Sequence, residues 1–432
     1  MREMKDSGVE WIGEIPKNWK VERLRYIIKD YKSGPFGSAL KMDGLLPDGN
    51  ILIYSPEHIT LHSSDSDKNL YLPDEREEEM SQFMVKENDI LFPIVGSLGK
   101  AMIITSDMPK GIINQRVAKF QIDNTIVDQN YFMWLFAKSN FYQPYIDISC
   151  RGSFIVNLTK AIINDMPCVI QPLAIQKKNS TYLDVKCSKI DEIIEKQQAI
   201  IEKLKEYKLS IITEAVTSGI NPDVEMKDSG SVWFGNIPIN WEMKRLKYVF
   251  HIQKDIAGEE GHTVLSITQR GIIPKDFSNN EGQFANSYAN YQLVHKGDFA
   301  MNHMDLLTGW VDISKYEGVT SPDYRVFVLN DKNGMCPEYY LYMMQMCYSA
   351  RVFYGLGQGV SGMGRWRLQA DKFLNFHIPI PPYDEQKIIA DYITDKVNHI
   401  EVEIDKRNKL VEKYQEYKKS LIYEVVTGKK EV

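Results

Sequence analysis

Along residues 183–215, mostly apolar positions recur at spacings that alternate four and three: Leu183, Cys187, Ile190, Ile194, Gln197, Ile201, Leu204, Lys208, Ile211 and Ala215. The same spacings pick out Ile393, Val397, Ile400, Ile404, Arg407, Val411, Tyr414, Lys418, Leu421 and Val425. A 3.5-residue period predicts a long helix with a coiled-coil seam in each stretch. Both seams are interrupted by polar residues at the same two places, Gln197/Arg407 and Lys208/Lys418. Polar seam residues cost stability but specify register and partner, so the two helices are predicted to pair with each other. About 42 residues at roughly 1.5 Å each make a rod of about 60 Å.

The rods belong to a larger duplication. Residues 4–19 match residues 226–241 at 11 of 16 positions, from Met4-Lys5-Asp6-Ser7-Gly8/Met226-Lys227-Asp228-Ser229-Gly230 to Asn18-Trp19/Asn240-Trp241. The offset there is 222, whereas the helical segments repeat at 210, from Pro172/Pro382 through Val216-Thr217/Val426-Thr427. A repeated unit of this kind reads as a duplicated domain with a shorter variable segment in the second copy. The order is module (1–172), helix and linker (173–222), module (223–381), helix (382–432). Pro167–Pro172 and Pro379–Pro382 predict stiff extended lead-ins to the rods, and Gly219–Asp223 a linker after the first. The modules read as mixed α/β, giving an α+β chain. Strands are expected at 89–96 and 326–329, and short buried helices at 131–136 and 339–344.

Composition narrows the class. A 43% hydrophobic, 25% charged chain of 432 residues is ordinary globular protein, and its net charge of −6 argues against a basic coat for nucleic acid. Two windows are locally basic, 100–119 and 351–372. Five cysteines without CxxC spacing support neither a disulfide framework nor a zinc site. No signal-like or membrane-length apolar stretch occurs, so a cytoplasmic location is expected.

No catalytic constellation emerges. Ile380-Pro381-Pro382-Tyr383 imitates an adenine-methyltransferase motif, but Ile380 cannot hydrogen-bond a target amine. Pro222–Lys227 imitates a nuclease signature with its acids too close together. His58 and His62 lack a third ligand, so no metal site is expected. What remains are loops suited to binding. Gln358, Ser361, Arg365 and Arg367 lie in a glycine-rich segment, opposite Arg151, Ser153 and Asn157 at the 210 offset. Arginine suits guanine O6/N7 and an amide suits adenine N6/N7, so these seven are the candidate DNA contacts; ordinary surface turns are the alternative. Ser33–Ser38 is a further candidate loop.

This arrangement resembles the specificity (HsdS) subunit of type I restriction–modification systems. The resemblance rests on Trp11–Pro16 with Trp19, on Trp233–Pro238 with Trp241, on Ile380–Ala390 and on the tail of each rod. The first lead-in departs from the family's Pro-Pro-x-x-Glu-Gln, with Ile175 in place of the acid. The resemblance implies two target recognition domains, each reading half of a bipartite double-stranded DNA site. They would be joined by an antiparallel coiled coil that sets the spacing in a pseudo-two-fold repeat. It implies a non-catalytic subunit that binds no cofactor itself. Two modification (HsdM) subunits would bring S-adenosylmethionine, and restriction (HsdR) subunits ATP and Mg2+. The spacer residues would be Leu183, Ile190, Ile194, Ile201, Leu204, Ile211, Ile393, Val397, Ile400, Ile404, Val411 and Leu421. A coiled-coil scaffold carrying two protein-binding modules, or a recognition part of a fused methyltransferase or nuclease system, are the other classes.

Overall fold

The repeated sequence builds one sheet twice. The computed structural model describes residues 2–36, 40, 44–64, 68–95, 99–150, 157–277, 285–358 and 366–432. In the first copy, strands Ile28–Ser33, Val117–Ile122, Ile90–Pro93 and Met102–Ile103 lie side by side in that order. The second copy sets Phe250–Gln253, Arg325–Leu329, Phe299–Met301 and Val311–Ile313 in the same order. Every pairing is antiparallel. The same tight turn launches Ile90–Pro93 in the first copy and Phe299–Met301 in the second. Asp89 accepts from the Lys86 N–H (2.9 Å) and Asp298 from the His295 N–H (2.8 Å). The residue before each Asp is left-handed, Asn88 at φ 68° and Gly297 at φ 94°, a conformation those two residue types tolerate.

Beside this shared sheet the copies differ. The first adds a three-stranded sheet in which Ile51–Tyr54 runs parallel to Gly111–Ile113. The second has two ribbons instead, Leu265–Thr268 with Gly271–Pro274 and Gln292–Val294 with Gly318–Thr320.

Two long helices, Leu173–Ser218 and Tyr383–Val426, follow the modules. The Pro-rich lead-ins are strands: Pro167–Ile170 pairs with Lys20–Arg23, and His377–Ile380 with Glu242–Arg245. The chain divides inside both helices. Unit 1 is Met1–Gln197 with Lys409–Val432, and unit 2 is Gln198–Asn408. Each unit therefore contains one module and a stretch of each helix, packed antiparallel.

In unit 1, Leu183, Cys187 and Ile190 pack with Leu421, Ile422, Val425 and Val426 in a core that includes Trp19 and Phe132, with Ile194 partly buried at its edge. In unit 2, Ile212, Ala215 and Val216 share a core with Ile389, Ala390, Ile393 and Trp241, with Val397 at its edge. Ile201, Leu204, Ile211, Ile400 and Ile404 form a separate apolar cluster in that unit, and Val411 of unit 1 is buried too.

The seam lysines find acids on the facing helix. Lys418 Nζ lies 2.6 and 2.7 Å from the Asp191 carboxylate oxygens, and Lys208 Nζ lies 2.5 Å from Glu401. Residues 191 and 401 are themselves 210 apart, so one ion pair is made twice with the helices exchanging roles. Half-exposed pairs contribute at most about 1 kcal/mol each. Their value lies in register, because a shifted pairing would set each lysine against the wrong neighbour.

The expected short buried helices are Gln129–Phe136 and Pro337–Ser349. Each supplies a tyrosine whose hydroxyl lies between the strand leading into one long helix and the end of the other. The Tyr131 hydroxyl is 3.2 Å from the Val169 carbonyl of the lead-in and 3.2 Å from the Val426 carbonyl that ends the second helix. Tyr339 does the same with Pro379 (3.1 Å) and Val216 (3.3 Å). Gln176 and Gln386 tie the helix starts to the same short helices. Each accepts a backbone N–H there, from Asp128 (2.7 Å) or Cys336 (3.0 Å), and donates back to the lead-in carbonyl of Gln171 or Pro381. Among the described residues, no helix is long and apolar enough to cross a membrane.

Removing the Tyr131 hydroxyl takes away the single donor that two buried carbonyls share. Tyr131→Phe should destabilise unit 1 by about 1–3 kcal/mol and speed amide exchange in the last turn of the second long helix. Exchange in unit 2 should not change. Equal acceleration in both units would remove the tyrosine from this role.

Candidate nucleic-acid interface

The antiparallel sheets bring a matching set of loops to one end. In unit 2 that end is where Gln253 and Met301 finish and Arg325 begins. Two residues past Met301, the His303 carbonyl accepts from the Leu368 N–H (3.0 Å). Immediately before Leu368, Arg367 forms an antiparallel bridge with Gln358, with N–H···O distances of 3.0 and 3.2 Å. Gln358 and Arg367 are both exposed. Beside them the Trp366 ring packs against Tyr354, with centres 5.0 Å apart and planes tilted by 46°. The candidates Ser361 and Arg365 lie outside the described residues.

Unit 1 repeats the construction. Leu158 donates to the Ile94 carbonyl (2.9 Å), and exposed Asn157 bridges Val95. Arg151 and Ser153 lie outside the described residues. The Ser33 loop reaches the same end: the Gly34 N–H donates to Val117 (2.9 Å). A Cβ at Gly34 would stand 1.8 Å from the Asn114 carbonyl oxygen, so only glycine permits this approach. Phe36 follows, 74% exposed. The structure thus brings Gln358 with Arg367, and Asn157 separately, to corresponding places.

The charges differ from what the windows suggest. In window 100–119, Lys119 is buried against Asp89 (2.7 Å) and Lys110 pairs with Glu77 (2.6 Å). Lys100 and Arg116 remain without a carboxylate partner among the described residues. In window 351–372, Arg351, Arg367 and Lys372 are exposed, also without such a partner.

Beneath Arg367 lies a cation that the sequence reading passed over. Arg325 is only 4% exposed. It donates to the Leu368 carbonyl (2.9 Å), lies 5.0 Å over the Phe373 ring and approaches Met301 Sδ at 3.9 Å. Burial first, then Arg367, pulls it down to about 10, so it stays charged at neutral pH. Burial and the charges of Arg325, Arg367 and Lys254 push nearby His303 down to about 3. His303 is therefore neutral, and its buried Nδ1 has no hydrogen-bond partner among the described residues. The signal was present: an arginine opening the otherwise apolar run Arg325-Val326-Phe327-Val328-Leu329.

Other chemically suggestive residues have structural explanations. His58 is buried, with Nδ1 accepting from the Ser55 N–H (3.0 Å) and Nε2 2.9 Å from the Asn69 amide oxygen. All five cysteines are free, and burial raises Cys168 to about 12 and Cys187 to about 11, which keeps both thiols protonated. Among the described residues no group of three or more His, Cys, Asp or Glu is placed to hold a metal ion.

Comparison with known proteins places these features in a family. The model of the type I restriction modification DNA specificity domain matches twice, at residues 17–211 and 238–413. The type I restriction enzyme MjaVIII specificity subunit of Methanocaldococcus jannaschii is 25% identical, over 96% of this chain and 93% of its own. The fold is also that of a chain from a solved type I R-M system, with TM-score 0.68 at 11% identity, covering 95% of this chain and 98% of the other. The HsdS subunit from Thermoanaerobacter tengcongensis superposes with TM-score 0.51 at 12% identity, covering 96% and 98%.

His303 makes unit 2 acid-sensitive in a defined window. Its folded value of about 3 lies below the ordinary 6.5, so the unfolded chain holds the extra proton between those values. Stability is then fully present above about pH 6.5 and falls as pH drops toward 3. His303→Ile, which installs the residue found at the matching position 94, should flatten that part of unit 2's pH–melting profile. An unchanged slope would assign the acid sensitivity to other groups.

Proposed function

The chain belongs to the type I restriction–modification DNA specificity family, its role is DNA sequence specificity, and we propose that each unit reads one half of a bipartite duplex site. The observation that carries this reading is the duplicated sheet end. Gln358 and Arg367 in unit 2, and Asn157 in unit 1, stand on homologous loop bases. A guanidinium and a carboxamide are the groups that read guanine and adenine edges in the major groove. Arg151, Ser153, Ser361 and Arg365 complete the proposed contact set.

The subunit acts without chemistry of its own. Two modification subunits dock on the helical repeat and supply S-adenosylmethionine-dependent adenine methylation, while restriction subunits add ATP- and Mg2+-dependent cleavage. The duplicated Lys–acid pairing supports two equivalent partners, because a contact made twice at a 210-residue offset offers the same surface twice. The scaffold alternative has no comparable support, since it leaves the exposed Arg367 and Gln358 without a purpose.

Purified alone, the chain should neither methylate nor cut DNA; with its modification partner it should direct methylation to one bipartite sequence. Within that complex, Arg367→Ala should weaken recognition of a single half-site by about 1–3 kcal/mol. Binding to randomised half-sites measures this. Methyl transfer by the isolated chain would overturn the non-catalytic reading, and loss spread evenly over all DNA would make Arg367 a phosphate contact.

The helices should also act as a ruler. Four residues inserted after Gln197 and four after Arg407 would lengthen both helices by about 6 Å while turning each seam only about 40° past a full turn. The bases recognised in each half-site should stay the same, and the gap between them should grow by about two base pairs at 3.4 Å each. Sequencing methylated sites reads both quantities. Altered half-site bases with an unchanged gap would show that spacing is set elsewhere.

A further inference from the structure

The sheet registers align the two units residue by residue at the loop end. Phe299 and Met301 of unit 2 face Phe327 and Arg325, as Ile90 and Phe92 of unit 1 face Phe120 and Ala118. Arg325 thus occupies the place of Ala118. One strand over, His303 occupies the place of Ile94, since each offers its carbonyl to the corresponding leucine, Leu368 or Leu158. Unit 1 builds the sheet and its loop base with an apolar pair, Ala118 and Ile94. Unit 2 uses a buried cation and a buried imidazole.

That difference is costly. A guanidinium removed from water without a carboxylate loses several kcal/mol of hydration, and no described carboxylate faces Arg325. Its contacts are one carbonyl, one thioether and one ring face. The sheet does not need the arginine, as Ala118 demonstrates in the same register. What Arg325 has and Ala118 lacks is a bond to the carbonyl of Leu368, the residue after Arg367. Leu368 is gripped from both sides, its N–H by the His303 carbonyl and its C=O by Arg325. In unit 1 only the first of these bonds is described for Leu158.

We propose that Arg325 is a positioning residue for DNA reading by unit 2: it fixes the stem formed by Gln358 and Arg367, and unit 1 reads its half-site without such a clamp. The inference rests on the reading of Gln358 and Arg367 as DNA contacts. Arg325 itself is covered by protein and touches no DNA. It determines where the Arg367 backbone leaves the sheet, and hence the angle at which the exposed side chains meet a base edge. The unneutralised charge below the stem also favours the approach of a polyanion, which lowers the net cost of burying it once DNA is present.

The test compares base preference in the two half-sites, using the chain in complex with its modification partner and duplexes randomised in one half-site at a time. Arg325→Met keeps the stem packed but removes the donor and the charge. It should lower discrimination in unit 2's half-site by about tenfold at one or more positions, within the range of a bidentate base contact. Unit 1's half-site should be read as before. Arg325→Lys, which retains a donor, should recover part of the loss. Should Arg325→Met not fold, Arg325→Ala with His303→Ile replaces it, because that pair already packs in unit 1. A direct phosphate contact would instead weaken all sequences alike and reduce the salt slope by about one; that result, or unchanged preference, overturns the proposal. If the unaltered complex shows no bipartite preference at all, it is the functional reading that fails.

Discussion

A helix that starts in one unit of this protein finishes in the other, and the points where those ends are held determine everything built on them. In each unit the holding group is one buried phenol. Tyr131 stands between the strand that launches the first long helix and the last carbonyl of the second. Tyr339 stands between the corresponding strand and the last turn of the first. Burial pushes both phenols well above their ordinary range, so they remain protonated donors. A helix end has carbonyls without intrahelical partners. Here such carbonyls are met by a side chain that also anchors the start of the other helix. The sheets, the loop ends and the seam inherit their placement from those joints.

Much of this was legible in the chain. The 3.5-residue spacing marks both helices, and repeated Lys208/Lys418 marks the places where the seam is polar. The sequence could not say which residue answers each lysine. Asp191 and Glu401 are unremarkable acids on helices whose charges nearly balance, and only antiparallel packing at one register brings them opposite the lysines. The Pro-rich lead-ins read as extended, and pairing with Lys20–Arg23 and Glu242–Arg245 makes them strands. That pairing joins residues more than a hundred positions apart, which local pattern does not encode.

The loop ends were legible by residue type and opaque in electrostatics. Glycines flanked by Arg and Gln identify a segment suited to close approach. Counting charges in a window then misleads, because Lys119 and Lys110 are spent on Asp89 and Glu77 inside the fold. Arg325 was overlooked for the opposite reason. It opens an apolar strand, where an arginine is a visible anomaly, but sequence alone does not tell a buried cation from an exposed one at a strand end. Alignment of the two copies by sheet register exposes it, since Ala118 stands in the equivalent place.

The division of the chain has a bearing on how it is made. Unit 2 is continuous, Gln198–Asn408, whereas unit 1 is assembled from Met1–Gln197 and Lys409–Val432. Leu421, Ile422, Val425 and Val426 belong to the core of unit 1, and the turn at Gly428 lies against Pro16 and Trp19 so closely that a Cβ would come within 2.5 Å. On the ribosome these residues emerge only after the whole of unit 2. At about 5–20 residues per second, the intervening 211 residues take on the order of 10–40 s. For that interval Leu183, Cys187 and Ile190 lack their partners on the second helix, while unit 2 already possesses every residue it needs. The module translated first is therefore the one completed last, and the closing turn of the second helix acts as the latch on synthesis.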